Sequence, residues 1–278
     1  MGRATRRHRV IRLAADGTRT EGPDTLAGEE PLEIRLGTEP FVVTMRTPGD
    51  DFDHVLGYLF AEQVIASCED VATLSYRSGV DPDGSRSYNV IEATLTPSAP
   101  GPRTAPRNVY TSSSCGVCGT ASMDGVAKCS SFSVGADATT ITLAQIVAMP
   151  ELLRSSQGQF RRTGAMHAAG LFSLAGDVPG LLCVREDVGR HNAVDKVVGW
   201  ALRGGRLPLT GTALQVSGRA SYELVQKAHL AGIPILAAVS APSALAVDLA
   251  EEAGMTLIGF SRGGGANVYT RPDRVIRC

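Results

Sequence analysis

Aromatic side chains make up only 5% of this 278-residue chain, and neither sign of charge prevails: 27 Lys and Arg face 28 Asp and Glu, for a formal net charge of −1. A general nucleic-acid binder carries a pronounced basic excess, so that class is set aside. No apolar run approaches the length of a membrane span. The six cysteines lack the spacing of a small disulfide scaffold, which fits a reducing cytosol. Arg6-Arg7 has the twin arginine of an export signal, but Leu13-Ala14-Ala15-Asp16-Gly17 follows without an apolar core. Residues 1–29 are therefore expected to be a basic, solvated and flexible arm. The chain also lacks a second CxxC, a histidine pair at ligand spacing, a full GxGxxG and a Walker pattern. None of its five histidines starts the HxE of a zinc deaminase.

What is present is Thr111-Ser112-Ser113-Ser114-Cys115-Gly116-Val117-Cys118-Gly119-Thr120. Two thiols two residues apart sit among small and hydroxyl residues. Gly116 and Gly119 permit a sharp turn. Hydrogen bonds from serines and free backbone N–H groups lower a cysteine pKa from about 8.5. Three readings compete. Zinc needs four ligands, and one CxxC is half a site. A thioredoxin-like dithiol opens a helix, yet Gly-Thr-Ala-Ser-Met-Asp-Gly is a poor helix former. The third is a sulfur-handling loop in which one thiolate carries a group and the other modulates it. Two incidental cysteines in a turn fit this context least.

Glu33-Ile34-Arg35-Leu36 and residues 41–46 alternate like strands, with a turn between them at 37–40. Phe52, Val55, Leu56, Leu59, Phe60 and Val64 form one helical stripe. His54 and Glu62 fall off it and are expected to face solvent. Further strands are expected at 71–76 and 88–95, around the turn Asp81-Pro82-Asp83-Gly84. Residues 30–105 thus read as a small α+β domain. The proline-rich stretch 96–107 cannot sustain helix or central strand and marks the boundary. Residues 106–278 form the second domain. In it, Thr140 or Thr142 caps a helix that Pro150 should kink or restart. A basic loop then runs through Arg161 and Arg162 to His167.

The last hundred residues are the most regular. Strands are expected at 181–184, 213–216, 235–239 and 255–260, the first forming a hairpin with 171–174. Helices alternate with them at 191–203, 221–231 and 243–253, followed by Gly204, Gly232 and Gly254 at C′ positions. This order implies a mostly parallel sheet covered on both faces. Ligands of such sheets gather at strand carboxyl ends. Those ends carry Asp187 and His191, then Ser217-Gly218-Arg219, then Ser240 to Ser243, then Phe260-Ser261-Arg262-Gly263-Gly264-Gly265. Small polar residues with arginine suit an anionic ligand rich in oxygen. Asp187 or Asp195 could pair with a guanine edge or neutralise an arginine.

Taken in order, these segments resemble the formate dehydrogenase accessory sulfurtransferase family. The match runs through Glu30-Pro31-Leu32-Glu33-Ile34-Arg35, Met45-Arg46-Thr47-Pro48-Gly49-Asp50 and Ser113 to Gly119. It continues through Thr163 to Ala168, where Ala165 replaces the family's usual second glycine, and through Arg185 to Lys196. Ser217-Gly218-Arg219-Ala220-Ser221, Gly259-Phe260-Ser261-Arg262 and Asn267-Val268-Tyr269 complete it. The resemblance implies a cytoplasmic protein with a cytidine-deaminase-like three-layer α/β/α domain beside the smaller α+β one. It implies that sulfur is taken from a cysteine desulfurase as a persulfide and passed to the molybdenum cofactor of formate dehydrogenase. That cofactor, the bis(molybdopterin guanine dinucleotide) form, would be bound as substrate, with GDP as a fragment mimic. By the same likeness Cys115 is the carrier, Cys118 a second carrier or resolving thiol, and Phe260 to Gly265 part of the cofactor loop. Cysteine desulfurase and the molybdenum-dependent formate dehydrogenase are the expected partners, together with a second copy in a homodimer. A resident metal, nucleic acid and membrane are not expected. A non-catalytic cofactor chaperone and a dithiol–disulfide oxidoreductase are the rivals.

Overall fold

The computed structural model describes residues 4–77, 79–80, 86–102, 128 and 130–276. Cys115, Cys118, Cys129 and the turn at 81–84 lie outside this set. The first described segment is a regular hairpin of β1 (Thr5–Leu13) and β2 (Arg19–Ala27), where a flexible arm was expected. Asp16-Gly17 closes it. The Asp16 carboxylate accepts from Thr18 N–H at 2.9 Å, and Gly17 takes the left-handed φ of 85°. Glu21 and Asp24 on β2 offset part of the charge of Arg9 and Arg12 on β1.

The small unit holds β3 (Glu30–Leu36), β4 (Glu39–Arg46), α1 (Asp51–Ala61), β5 (Val71–Tyr76), β6 (Gly79–Val80), β7 (Arg86–Ser87) and β8 (Val90–Leu95). Its sheet runs β4-β3-β8-β5, with β3 and β8 parallel. Period-two alternation places Leu32, Ile34, Ile91 and Ala93 on the buried face.

The large unit begins with β9 (Ile141–Thr142), α2 (Leu143–Ser156) and α3 (Gly158–Thr163). Thr142 caps α2 in a reciprocal box with Gln145, and the helix runs on through Pro150 without restarting. The arginine-bearing stretch expected as a loop is the short α3. There follow β10 (His167–Ser173), β11 (Gly180–Asp187), α4 (Arg190–Arg203), β12 (Thr212–Val216), α5 (Tyr222–Leu230), β13 (Ile235–Ala238), α6 (Ala244–Glu252), β14 (Thr256–Arg262), β15 (Gly265–Val268) and β16 (Val275–Ile276). The six-stranded sheet runs β11-β10-β12-β13-β14-β15. Neighbouring strands are parallel only at β12–β13 and β13–β14, because β10 and β15 run opposite to the other four, so the sheet is mixed. The reason is local: β10–β11 and β14–β15 are joined by turns too short for a crossover helix. The protein is thus a mixed α/β fold with six helices among the described residues.

One face of that sheet packs Phe172, Ala213, Ile235 and Ile258 against Ile146, Met149 and Leu153 of α2. The other face meets α4, α5 and α6 in a larger cluster that continues without a break into Leu32, Ile34 and Ile91 of the small unit. The link is α4, with 11 of its 14 residues buried because α1 lies across its far side. The helices touch backbone to backbone. A Cβ on Gly57 would stand 1.9 Å from Asp195 O, and one on Gly199 would stand 1.8 Å from Asp53 O. Late in the chain, the buried Arg274 guanidinium donates to the carbonyls of Val134, Gly135, Asp137, Pro234 and Gly254.

His54 corrects an expectation. It is fully buried, because α4 lies across α1. Burial, reinforced by the charges of Lys196, Lys227 and Arg46, holds its imidazole well below the usual histidine value. The folded chain therefore keeps it neutral, whereas the unfolded chain takes up a proton near pH 6.5. Stability is full above that value and falls below it, by up to about 1.4 kcal/mol per pH unit. Urea unfolding of the parent and His54→Gln between about pH 7.5 and 5.5 should show the variant losing less stability, by one proton's slope. Equal slopes would remove His54 as the cause.

Candidate functional site

The strands β12, β13 and β14 end at one edge of the six-stranded sheet. Antiparallel β10 begins there with His167, opposite Asp187 at the end of β11. From this edge the chain enters α4, α5 and α6, whose N-caps are Gly189, Ser221 and Ser243. Unspent N–H groups and the positive ends of three helix dipoles consequently collect there. Arg219 and Arg262 are exposed at the same edge and Arg190 is half-buried. Such an edge attracts a polyanion.

Gly218 lets the chain pass close to His167: a Cβ there would be 3.4 Å from the imidazole Nδ1. Burial first, and then Arg190, depresses the His167 pKa, so its ring is neutral at pH 7. Ser217 continues the ladder. Its N–H donates to Ala168 O at 3.0 Å and its hydroxyl accepts from Ala168 N–H at 2.9 Å. Arg262 and Gly265 pair across a two-residue turn in which Gly263 (φ 63°) and Gly264 (φ 82°) are both left-handed. Phe260 is left-handed too (φ 54°), where the strands slip between Gly259 and Arg262. A bulky residue in that region stores strain, a common mark of ligand loops.

Not every residue expected at a ligand surface faces one. Asp187 is fully buried and serves its own chain. Its carboxylate accepts from Thr47 N–H (3.0 Å), Gly189 N–H (2.8 Å) and the Asn192 amide (3.0 Å), and pairs with Lys196 at 2.8 Å. The Lys196 ammonium also donates to Thr47 O at 2.9 Å. These contacts fasten the Thr47-Pro48-Gly49-Asp50 turn of the small unit to the start of α4. Ser261 is fully buried and its hydroxyl donates to Gln215 Oε1 at 3.2 Å. His191 is 3% exposed; its Nε2 lies 3.1 Å from Ser221 Oγ and 3.2 Å from Glu223 Oε2, bridging the first turns of α4 and α5. Asp195 faces α5 and makes a short 2.5 Å ion pair with Lys227. Left at the edge are His167 and Arg190, both close to Gly218, together with the exposed Arg219 at the end of β12 and the exposed Arg262 at the glycine turn.

Sequence reading missed the partners of Asp187, namely Thr47, Asn192 and Lys196. Their signal was polar residues recurring on the buried side of α4, at i, i+4 spacing for Asn192 and Lys196. Of the other cysteines, Cys68 is half-buried and Cys183 is buried. Desolvation pushes the Cys183 thiol up to about 11, leaving it protonated and a poor nucleophile. Among the described residues no group of three or more His, Cys, Asp or Glu is placed to hold a metal ion. Nor is any helix there long and apolar enough to cross a membrane.

An α/β scaffold with a cationic, glycine-turned edge at its strand carboxyl ends has the general form in which open α/β sheets place their ligand crevices. The particular family follows from comparison with known proteins: residues 27–276 match the FdhD/NarQ family, and the chain belongs to it. It is 53% identical to the sulfur carrier protein FdhD of Mycobacterium tuberculosis, over 99% of this chain and all of that one. The protein of the same name from Streptomyces coelicolor is 52% identical, over 99% of this chain and 97% of that one. A solved structure from Desulfotalea psychrophila, described as that of a formate dehydrogenase accessory protein, superposes with a TM-score of 0.70 at 25% identity. It covers 99% of this chain and all of the other. The family inferred from the motifs is therefore the one found.

Proposed function

We propose that this protein carries sulfur as a Cys115 persulfide and hands it to a molybdenum cofactor bound as substrate, before formate dehydrogenase receives that cofactor. The observation that carries the reading is the cationic sheet edge of Arg190, Arg219, Arg262 and three helix N-termini, in a chain of the FdhD/NarQ family. In the first step, the Cys115 thiolate attacks the outer sulfur of a cysteine desulfurase persulfide. A Cys115–S–S bond forms and the donor's thiolate leaves. The loaded sulfur is then presented at the edge where the phosphates and guanines of bis(molybdopterin guanine dinucleotide) would meet arginine and backbone N–H groups. Neutral His167 offers a hydrogen bond there without adding charge. Cys118 acts on the reactivity or the resolution of Cys115. We read the six-stranded unit as a cytidine-deaminase-like scaffold, the compartment as the cytoplasm and the working assembly as a homodimer.

Incubation with a desulfurase and cysteine, followed by intact mass measurement, tests the relay. A gain of sulfur is expected. Loss of two hydrogens would favour a dithiol oxidoreductase, and an unchanged mass would favour a cofactor chaperone. The cargo site has its own test. Arg262→Ala should weaken GDP binding by about 1.5–3 kcal/mol, the worth of a charge-assisted phosphate contact. Calorimetry returning equal affinities would take Arg262 out of the site.

A further inference from the structure

The β1–β2 hairpin precedes almost all of the stretch that matches the family, which begins at residue 27. Its hydrogen-bond phase can be read from its two ends. Gly28 N–H donates to Ala4 O at 2.8 Å and Ala14 N–H to Thr18 O at 2.9 Å, in a register pairing Thr5 with Ala27 and Leu13 with Arg19. Even-numbered residues of β1 therefore spend their backbone groups on β2, and Thr5, Arg7, Arg9, Ile11 and Leu13 turn theirs outward. On β2 the outward set includes Pro23, which has no N–H, so that edge is blunted. β2 also lies against α3, leaving β1 as the distal strand. Its outer edge is complete, and among the described residues nothing pairs with it.

Charge selects the occupant. β1 reads Thr-Arg-Arg-His-Arg-Val-Ile-Arg-Leu, without one acidic residue. Among the described residues, Arg6 and Arg7 have no carboxylate within ion-pair distance, and Arg9 meets only the exposed Glu21. On one face of the ribbon Arg7 and Arg9 are followed by Ile11, 53% exposed, and Leu13, 76% exposed. A two-stranded ribbon is marginal in water, so a third strand would also stabilise it. We propose that the free edge of β1 takes up an extended acidic segment of a partner protein as a third strand. Main-chain bonds to the odd-numbered residues supply affinity, while acidic side chains opposite Arg7 and Arg9 and apolar ones opposite Ile11 and Leu13 supply selectivity. This holds whichever group the sheet-edge site carries.

The probe is a terminally blocked peptide alternating threonine with glutamate or valine, and its control replaces glutamate by lysine. Fluorescence anisotropy at low salt with the full chain should show the glutamate peptide binding at least several-fold more tightly. Arg7→Glu with Arg9→Glu should reverse that preference. Ile11→Pro should weaken binding while the ribbon's own ladder survives, since the Ile11 N–H points away from β2. Hydrogen exchange should slow most on binding at Arg7, Arg9, Ile11 and Leu13, whose N–H groups gain a partner, and less at Arg6 and His8, already bonded to β2. Equal binding of the two peptides, or protection confined to other strands, would overturn the proposal. So would a dimer of the free chain that Ile11→Pro dissociates, because a second copy would then occupy the edge.

Discussion

Cys115→Ala should yield a chain that folds and binds GDP but forms no persulfide, and cells supplied with it alone should contain inactive molybdenum formate dehydrogenase. The expectation rests on which thiols could substitute. Cys183 is buried and protonated, with its pKa pushed up to about 11, and its strand position offers no approach to a donor. Cys68 lies in the small unit, in the short helical turn before β5. Cys118 stands two residues away, but a relay needs only one attacking thiolate, and the family likeness marks the first of the pair. Cys118→Ala should accordingly cost less. Cysteines in a glycine- and serine-rich stretch add little to a core, so unfolding free energy should change by no more than about 0.5 kcal/mol. The measurements are persulfide labelling of the purified variants and formate dehydrogenase activity in cells carrying each one. Full activity with Cys115→Ala would end the relay reading and leave a cofactor chaperone in its place.

Gly199→Ala, a single methyl group, should cost about 3 kcal/mol or more of stability. The usual gain from replacing a helical glycine by alanine is about 1 kcal/mol, in the opposite direction. Sterics decide the sign. The added carbon would meet Asp53 O at 1.8 Å, Asp53 C at 2.6 Å and Gly57 N at 2.8 Å. All three are backbone atoms of α1, and none can swing away as a side-chain end can. The helices must separate, which opens the cluster shared by both units. Gly158→Ala provides the control: nothing lies within 4 Å of its added carbon, and its helix should be unharmed. Denaturant midpoints of the three proteins test the claim. A Gly199→Ala midpoint equal to the parent's would show that the crossing is looser than described.

Much of this architecture is legible in the sequence wherever local periodicity decides it. The stripe in α1, the alternation in β3 and β8, and the helices α4 to α6 all fall where spacing puts them. The Asp16-Gly17 hairpin was legible as well, since that dipeptide suits a tight turn, but the weight of arginine in residues 1–29 favoured a solvated arm. Strand direction was legible only in part. The hairpin of β10 and β11 was expected from the turn between them, whereas that of β14 and β15 was hidden because its glycines read as a ligand loop. The exposed arginines of the candidate site were found because strand ends can be counted. The inward turn of Asp187 and Ser261 was hidden because their partners, Thr47 and Gln215, lie 140 and 46 residues away. His54 was misplaced for the same reason: one helix cannot announce that a second will cover its polar side.

The burial of α4 from both sides bears on how this chain can be divided or extended. The proline-rich sequence of 96–107 suggests a seam at which to cut out a module and fuse it elsewhere. Yet removing residues 30–95 would bare the flank of α4 that Gly57 now touches, and removing the rest would strand α1 with nothing to cross. The two units therefore travel as one indivisible piece, and separate expression of either half should yield aggregate. Room for added sequence lies instead at the exposed hairpin tip Asp16-Gly17, where a Cβ added to Gly17 would meet nothing within 4 Å.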